Sequence, residues 1–348
     1  MVKLGDVINV HYGKALKADQ RVSNGSVHVF GSSGIVGNHD KTLCSYPTII
    51  IGRKGSVGAI TWAPDGGWII DTAYYVEIKD NNKLDLRYLF YILSGIDLTK
   101  KTITTSIPGL NRDDLYDTFI KLPPFEEQKR IVDLLDKAEG IRQKREQAIK
   151  LADDFLRATF ATMYGNPITN PKKWPVHLMG EIIEFKGGNQ PPKSDFIFEP
   201  KQGYIRLVQI RDFKSDKYAT YIPQEKAKRI FEVDDVMIAR YGPPVFQILR
   251  GLSGSYNVAL MKASPKENIR KGFIFYLLQL PEYHDVVVKN SERTAGQTGV
   301  NLELLNKFNV PLPPIYYQDE ILARLARIEK FKEKIEISLN HLEMQFLS

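Results

Sequence analysis

Cysteine is almost absent from this chain: of 348 residues, only Cys44 is one. An internal disulfide framework is therefore excluded, and a reducing compartment is expected. Cys44 reads as a buried, inert thiol, because a nucleophile would want a recognisable histidine partner. The six histidines, His11, His28, His39, His177, His284 and His341, are scattered. They show no H-x-x-x-H spacing and no cysteine pairing, so no structural zinc is expected. Long apolar runs are missing too. A stretch such as Phe273 to Leu278 falls far short of a membrane span. The opening MVKLGDVINVHYG lacks the apolar core of a signal peptide. The expectation is a cytoplasmic protein that does not engage a membrane. There is also no G-x-x-x-x-G-K-[ST] phosphate loop. Gly52-Arg53-Lys54-Gly55-Ser56-Val57-Gly58 has the glycines at the wrong spacing and reads as a tight strand-loop-strand turn.

What is present is length, a modest positive charge and one long helical pattern. The length suffices for two domains, each with its own core. The net charge is +7. The stretch from Leu122 to about Met163 opens LPPFEEQKRI and runs on with Gly140 as its only interior glycine. Pro123-Pro124 and then Glu126-Glu127 suit a helix start and the positive end of its dipole. Ile131, Leu134, Ala138, Ile141, Ala148, Ala152, Phe155 and Thr159 recur in steps of three and four once Arg145 is added, a heptad seam. Leu135, Ile149 and Leu156 widen it on one edge. Such a helix spans about 58 Å at ~1.5 Å per residue. Between Glu126 and Arg157 it carries eight basic and eight acidic residues. The charge excess therefore sits outside the helix, which points to a polyanion partner for the globular parts.

The chain then begins again. Leu178-Met179-Gly180-Glu181-Ile182-Ile183 echoes Leu4-Gly5-Asp6-Val7-Ile8. Ile238-Ala239-Arg240-Tyr241-Gly242 echoes Ile51-Gly52-Arg53-Lys54-Gly55. Phe273 to Leu278 echoes Tyr88 to Leu93, and Gly299-Val300-Asn301-Leu302 echoes Gly109-Leu110-Asn111-Arg112. Finally, Leu312-Pro313-Pro314 with Gln318 and Ile321 echoes Leu122-Pro123-Pro124 with Gln128 and Ile131. Five echoes in one order indicate a tandem duplication. Thr48-Ile49-Ile50-Ile51-Gly52 reads as a buried strand and Leu86 to Leu93 as a compact apolar helix. A second long helix follows, with a seam of Ile321, Leu325, Ile328, Ile335, Leu339, Leu342 and Phe346 and Lys332 as its polar exception. Two matched seams separated by a domain are expected to pack antiparallel. Arg145 and Lys332, each near its helix midpoint, would then lie close, snorkelling from the seam's edge.

The repeated L-P-P-x-x-x-Q-x-x-I signature leading into a long helix resembles the specificity subunits of Type I restriction-modification systems, and the resemblance covers essentially the whole chain. It implies an α+β fold: two pseudo-repeated mixed α/β target recognition domains separated by two long antiparallel helices forming a coiled coil. The corresponding division is 1–124 for the first recognition domain, 125–164 for the central helix, 165–314 for the second domain with its linker 165–174, and 315–348 for the last helix. The resemblance further implies a protein that performs no chemistry itself. It would recognise a bipartite site on double-stranded DNA and direct two methyltransferase subunits and the restriction (nuclease-translocase) subunits to it. AdoMet, ATP and Mg2+ are then expected only on those partners.

Candidate DNA contacts follow from the paired echoes. Arg53-Lys54 and Arg240-Tyr241 occupy equivalent strand ends before glycines, where arginine suits bidentate reading of guanine and either basic type suits phosphate. The loops with Thr105, Ser106 and Arg112, and with Arg293, Gln297, Thr298 and Asn301, are polar and equivalent. Gln297 and Asn301 have the groups to pair with adenine edges, although for Asn111 and Asn301 backbone capping at a repeated turn is the preferred reading. Two other classes compete. Leu122-Pro123-Pro124-Phe125 superficially resembles a methyltransferase N-P-P-[YF] loop, but Leu122 has no amide to hold a base amine. Asp65, Glu77 and Lys79 fit a loose metal-dependent nuclease pattern, with no equivalent in the second repeat. A coiled-coil adaptor that reads no DNA is the third reading.

Overall fold

The computed structural model describes residues 1–103, 109–242, 244–291 and 299–347. The chain divides into two compact units, residues 1–143 and 144–348.

In the first unit the core is a four-stranded antiparallel sheet. Its strands, in spatial order, are Ile8–Tyr12, Ala73–Ile78, Thr48–Gly52 and Ile60–Ala63. The β-branched run Thr48–Gly52 lies inside this sheet and is buried at every residue, as its composition predicts. The helix Leu86–Ser94 packs on the sheet through Tyr88, Leu89 and Leu93 and is capped by Asp85, whose side chain accepts the Tyr88 N–H. A smaller sheet orders Gly34–His39, Val27–Gly31 and Trp68–Ile69. The ribbon of Val2–Lys3 with Phe119–Ile120 brings the chain to Pro123-Pro124 and the start of the central helix, Phe125–Tyr164.

The second unit repeats the core sheet strand for strand. Its core sheet orders Ile183–Gly187, Leu260–Pro265, Val236–Ala239 and Ile248–Leu249, again antiparallel. The helix Lys271–Leu277 buries Phe273, Ile274, Tyr276 and Leu277. The ribbon Val176–Leu178 with Asn309–Pro311 leads to Pro313-Pro314 and the last helix, Ile315–Leu347. The companion sheet differs: four strands, Tyr221–Pro223, Tyr204–Val208, Gly254–Tyr256 and Ile230–Phe231.

The repeated signature has a structural cause in its glutamine. Gln128 and Gln318 are both fully buried. Gln128 Oε1 accepts the N–H of Asp85 at 2.9 Å, while its Nε2 donates to the carbonyls of Lys83 (2.7 Å) and Pro123 (2.9 Å). Gln318 accepts from Arg270 N–H and donates to the carbonyls of Asn268 and Pro313, each at 2.8 Å. Each glutamine thus ties the first turn of a long helix to the N-cap of its unit's short helix. A buried side chain that satisfies three otherwise orphaned backbone groups is costly to replace.

Within the second unit, the segment of the central helix from Lys144 onward packs antiparallel on the last helix. Arg145 Nη1 donates to the carbonyl of Ser338 at 2.8 Å, and Lys332 Nζ lies 2.7 Å from Asp153 Oδ1. The two basic residues therefore do not face each other as expected. In an antiparallel pair each finds its own partner, about two turns apart. The seam of the last helix is as expected from Ile321 to Leu342, with Ile321 and Leu325 fully buried; the Phe346 side chain lies outside the described residues. The central helix corrects its own seam. Leu134 and Ile141 are exposed, and Phe155 is 60% exposed, while Phe160 is 1% exposed. The buried ridge is Ala152, Leu156, Phe160 and Tyr164, the edge that Leu156 had marked. The reason is tertiary. This segment must face the globular core as well as the last helix, and Phe160 stacks within 5.1 to 5.5 Å of Phe273 and Tyr276.

Among the described residues no helix is long and apolar enough to cross a membrane.

Candidate nucleic-acid interface

The strand Thr48–Gly52 ends where the backbone must pass close to a loop. A Cβ on Gly52 would come within 2.0 Å of the Ser56 carbonyl oxygen, so only glycine fits. The next residue, Arg53, donates its N–H to Thr72 at 2.9 Å and accepts from the N–H of Leu110 at 2.9 Å. That second bond brings the segment Gly109–Arg112 beside the strand end. The Arg53 guanidinium lies over Tyr12 (5.0 Å) and Tyr74 (5.7 Å) and donates to the Asp71 carbonyl. Arg112 lies over the same Tyr12 ring at 5.3 Å. Tyr12 is 46% exposed and holds two guanidinium groups by its π-system. Burial pushes the Tyr74 hydroxyl beneath up to about 12, and it donates to the Leu110 carbonyl at 3.0 Å. Lys54 is exposed beside them.

The second unit places the same backbone. Arg240 donates its N–H to Ala259 at 2.8 Å and accepts from Val300 N–H at 3.1 Å. Its guanidinium lies over Tyr241 at 5.1 Å. At the strand position of Tyr12 stands Gly187, whose missing Cβ would sit 3.2 Å from Arg240 Nη1. Arg240 Nε and Arg112 Nε are buried without a hydrogen-bond partner among the described residues. Asn111 and Asn301 are N-caps, as preferred from the sequence. Asn111 Oδ1 accepts from Asp113 N–H, and Asn301 Oδ1 from Glu303 and Leu304 N–H.

Arg53, Lys54 and Arg112 are thus brought together in one unit, and Arg240, Tyr241 and Asn301 in the other. Thr105, Ser106, Arg293, Gln297 and Thr298 lie outside the described residues. Sequence reasoning missed Tyr12 and Tyr74, because their repeat partners are Gly187 and Met261 and leave no echo. It also missed Gly13 and Gly188, where a Cβ would meet the carbonyl oxygens of Ile70 (2.1 Å) and Asn257 (1.9 Å). Their signal was available: each follows the echoed Gly5 or Gly180 at the same spacing.

The nuclease triad is not assembled. Glu77 pairs with His11 Nε2 at 2.9 Å, Lys79 Nζ donates to the Gly5 carbonyl, and Asp65 is exposed in the turn before Gly66. Among the described residues no group of histidine, cysteine and carboxylates is arranged to hold a metal ion.

A family model described as the Type I restriction modification DNA specificity domain matches residues 1–151 and 171–343. The specificity subunit of the Type I restriction enzyme EcoBI from Escherichia coli is 22% identical over 336 residues, covering 85% of this chain and 70% of that protein. The MjaVIII specificity subunit of Methanocaldococcus jannaschii is 21% identical over 305 residues, covering 75% of this chain and 69% of that protein. Among solved structures, the S subunit of the Type I restriction-modification system from M. genitalium superposes with a TM-score of 0.63 at 16% identity, over 98% of this chain and 92% of that one. A chain from a study of complex assembly and conformational transition in the type I R-M system gives 0.56 at 19% identity, over 99% of this chain and 94% of that one.

Proposed function

The chain belongs to the Type I restriction modification DNA specificity family, and from that premise we propose that it reads a bipartite double-stranded DNA target, one half-site per unit, and directs partner methyltransferase and restriction subunits to it. As a specificity subunit it is a DNA-recognition component, not a catalytic one. The observation that carries the two-half-site reading is the duplicated arginine strand end. Arg53 and Arg240 leave equivalent strands, and each is bonded through its carbonyl to the segment that ends in a capping asparagine. Duplicated basic platforms suit two separate contacts with one duplex.

The long helices take two roles in this reading. Their outer surface, with its balanced charges and the exposed Leu134, Ile141 and Phe155, is the docking surface for two methyltransferase subunits. The continuous 40-residue central helix sets the length of unread DNA between half-sites. Restriction subunits join the assembly, AdoMet, ATP and Mg2+ are used by the partners, and the assembly works in the cytoplasm.

The test is methylation mapping after co-expression with a neighbouring methyltransferase subunit. An asymmetric, two-part motif is expected, and a continuous palindrome overturns the reading. Four residues inserted within Glu139–Ala148 should change the spacer and leave both half-site sequences as they were. Altered half-sites at the old spacer would count against the helix as a ruler.

A further inference from the structure

Besides the apolar contacts of Ile131 and Val132 in one unit and of Ile321 and Leu325 in the other, each unit holds its long helix by a buried glutamine and by a polar cluster further along, and only the glutamine is visible as a sequence signature. The cluster lies about two to three turns past this glutamine clamp. In the first unit Arg87 Nε donates to Asp136 Oδ1 at 2.9 Å, and the Tyr91 hydroxyl donates to the same oxygen. The guanidinium is packed over Trp62 (4.9 Å) and Tyr91 (5.0 Å). In the second unit Arg250 pairs with Glu329, and the Tyr276 hydroxyl donates to the same Glu329 oxygen. Its guanidinium lies over Phe275 at 3.9 Å and Tyr276 at 5.6 Å.

The two latches share their tyrosine, six residues past the cap of each short helix, but the carboxylate moves from eight residues past the buried glutamine (Asp136) to eleven (Glu329), and the arginine comes from opposite walls. Arg87 is two residues past the cap Asp85 of the short helix, where the second unit, counting from its cap Arg270, has Gly272. Arg250 extends the strand Ile248–Leu249 at the place where the first unit has Trp62. The grip is therefore kept while its supplier changes, which a merely local packing contact would not require.

We propose that this guanidinium latch is a positioning device that fixes the angle of each unit on its helix and so limits the spacer length the protein accepts. The proposal rests on the two-half-site reading. The clamp and the apolar contacts beside it (Ile131 and Val132, or Ile321 and Leu325) lie within the first turns of the helix and resist tilt over a short lever. A further grip about 12 Å along the helix in the first unit, and about 16 Å in the second, lengthens that lever and restricts the remaining tilt. Slack of about 2 Å there is a tilt of about 10°, which across a domain of this size (about 20 Å from pivot to surface) displaces the surface by about 3.4 Å, one base-pair step.

The experiment uses the full chain with its methyltransferase subunits and a DNA library of fixed half-sites and spacers varied by single base pairs. Arg87→Gly should raise methylation at spacers one base pair too long or short about tenfold relative to the parent spacer, with half-site bases unchanged. Tyr91→Phe, a change too small to unfold the unit, should raise it about threefold. The double variant W62R/R87G moves the arginine to the second unit's wall, where Glu139, now paired with Arg142, stands at the step from the buried glutamine that Glu329 occupies, and should restore discrimination. Equal loss of methylation at every spacer, or unchanged discrimination in both Arg87→Gly and Tyr91→Phe, overturns the latch. A double variant that stays as permissive as Arg87→Gly overturns the equivalence of the two grips. A parent protein that methylates no two-part site overturns the half-site reading itself, and the latch proposal with it.

Discussion

The two units agree where they attach and differ where they project. Their core sheets have the same strand order, their ribbons close at the same Pro-Pro step, and their buried glutamines make the same three hydrogen bonds. Their companion sheets do not correspond, with three strands in one and four in the other. Under the arginine strand ends, one unit has Tyr12 and the other Gly187. Constraint therefore falls on the groups that hold a unit to its helix, because each satisfies buried polar atoms that have no alternative partner. The outward loops and sheets carry no such demand and are free to diverge.

The largest expected effect breaks the shared part. Gln128→Ala and Gln318→Ala each orphan a buried N–H and two carbonyls, and should each destabilise their unit by about 3 kcal/mol or more. Denaturant titration followed by hydrogen exchange checks this, and the comparison predicts similar losses in the two units. Next are Gly13→Ala and Gly188→Ala, where a methyl group would meet a carbonyl oxygen near 2 Å. The backbone must shift, for about 1–3 kcal/mol each, readable as a fall in melting temperature. A smaller effect sharpens the difference between units. Tyr12→Ala loosens Arg53, still held by Tyr74 and the Asp71 carbonyl, and Arg112, and removes two cation–π contacts of about 0.5–1 kcal/mol each. Methylation mapping should show relaxed preference in one half-site only.

The smallest effect is in pH. Asp235 immediately precedes the strand Val236–Ala239, at the position where the first unit has Thr48. Burial alone would raise its carboxyl, but Lys271, the Glu232 N–H and Lys262 outweigh burial and hold it below the usual carboxylate range. A folded-state value below the unfolded one adds stability above the usual carboxylate range, and that stability is lost as pH falls through the folded value. Acid should therefore loosen the second unit at this place, while Thr48, which bonds Val76 through its hydroxyl, contributes no such dependence. Asp235→Asn should flatten the difference, as followed by hydrogen exchange between pH 3 and 6 (about the carboxylate range).

Most of the fold was legible because the duplication printed it twice. The L-P-P-x-x-x-Q repeat marked both helix starts, the run Thr48–Gly52 announced a central strand, and Asn111 and Asn301 announced caps. The candidate interface was half legible. Arg53 and Arg240 were found as echoes, but Tyr12 and Tyr74 were invisible because only one unit has them. The latch was invisible for a related reason: Arg87 and Arg250 come from different elements, so no alignment of the repeats pairs them.

The sequence by itself determined the duplication, the two long helices and the strand ends that carry arginine, since each depends on local pattern or on repetition. Only the tertiary structure decided which ridge of the central helix is buried. Phe155 and Phe160 stand on neighbouring stripes, and the periodic count put Phe155 on the seam and left Phe160 off it; the rings of Phe273 and Tyr276 take Phe160 and leave Phe155 to solvent. Periodicity says that a face exists; what else packs against the helix says which one.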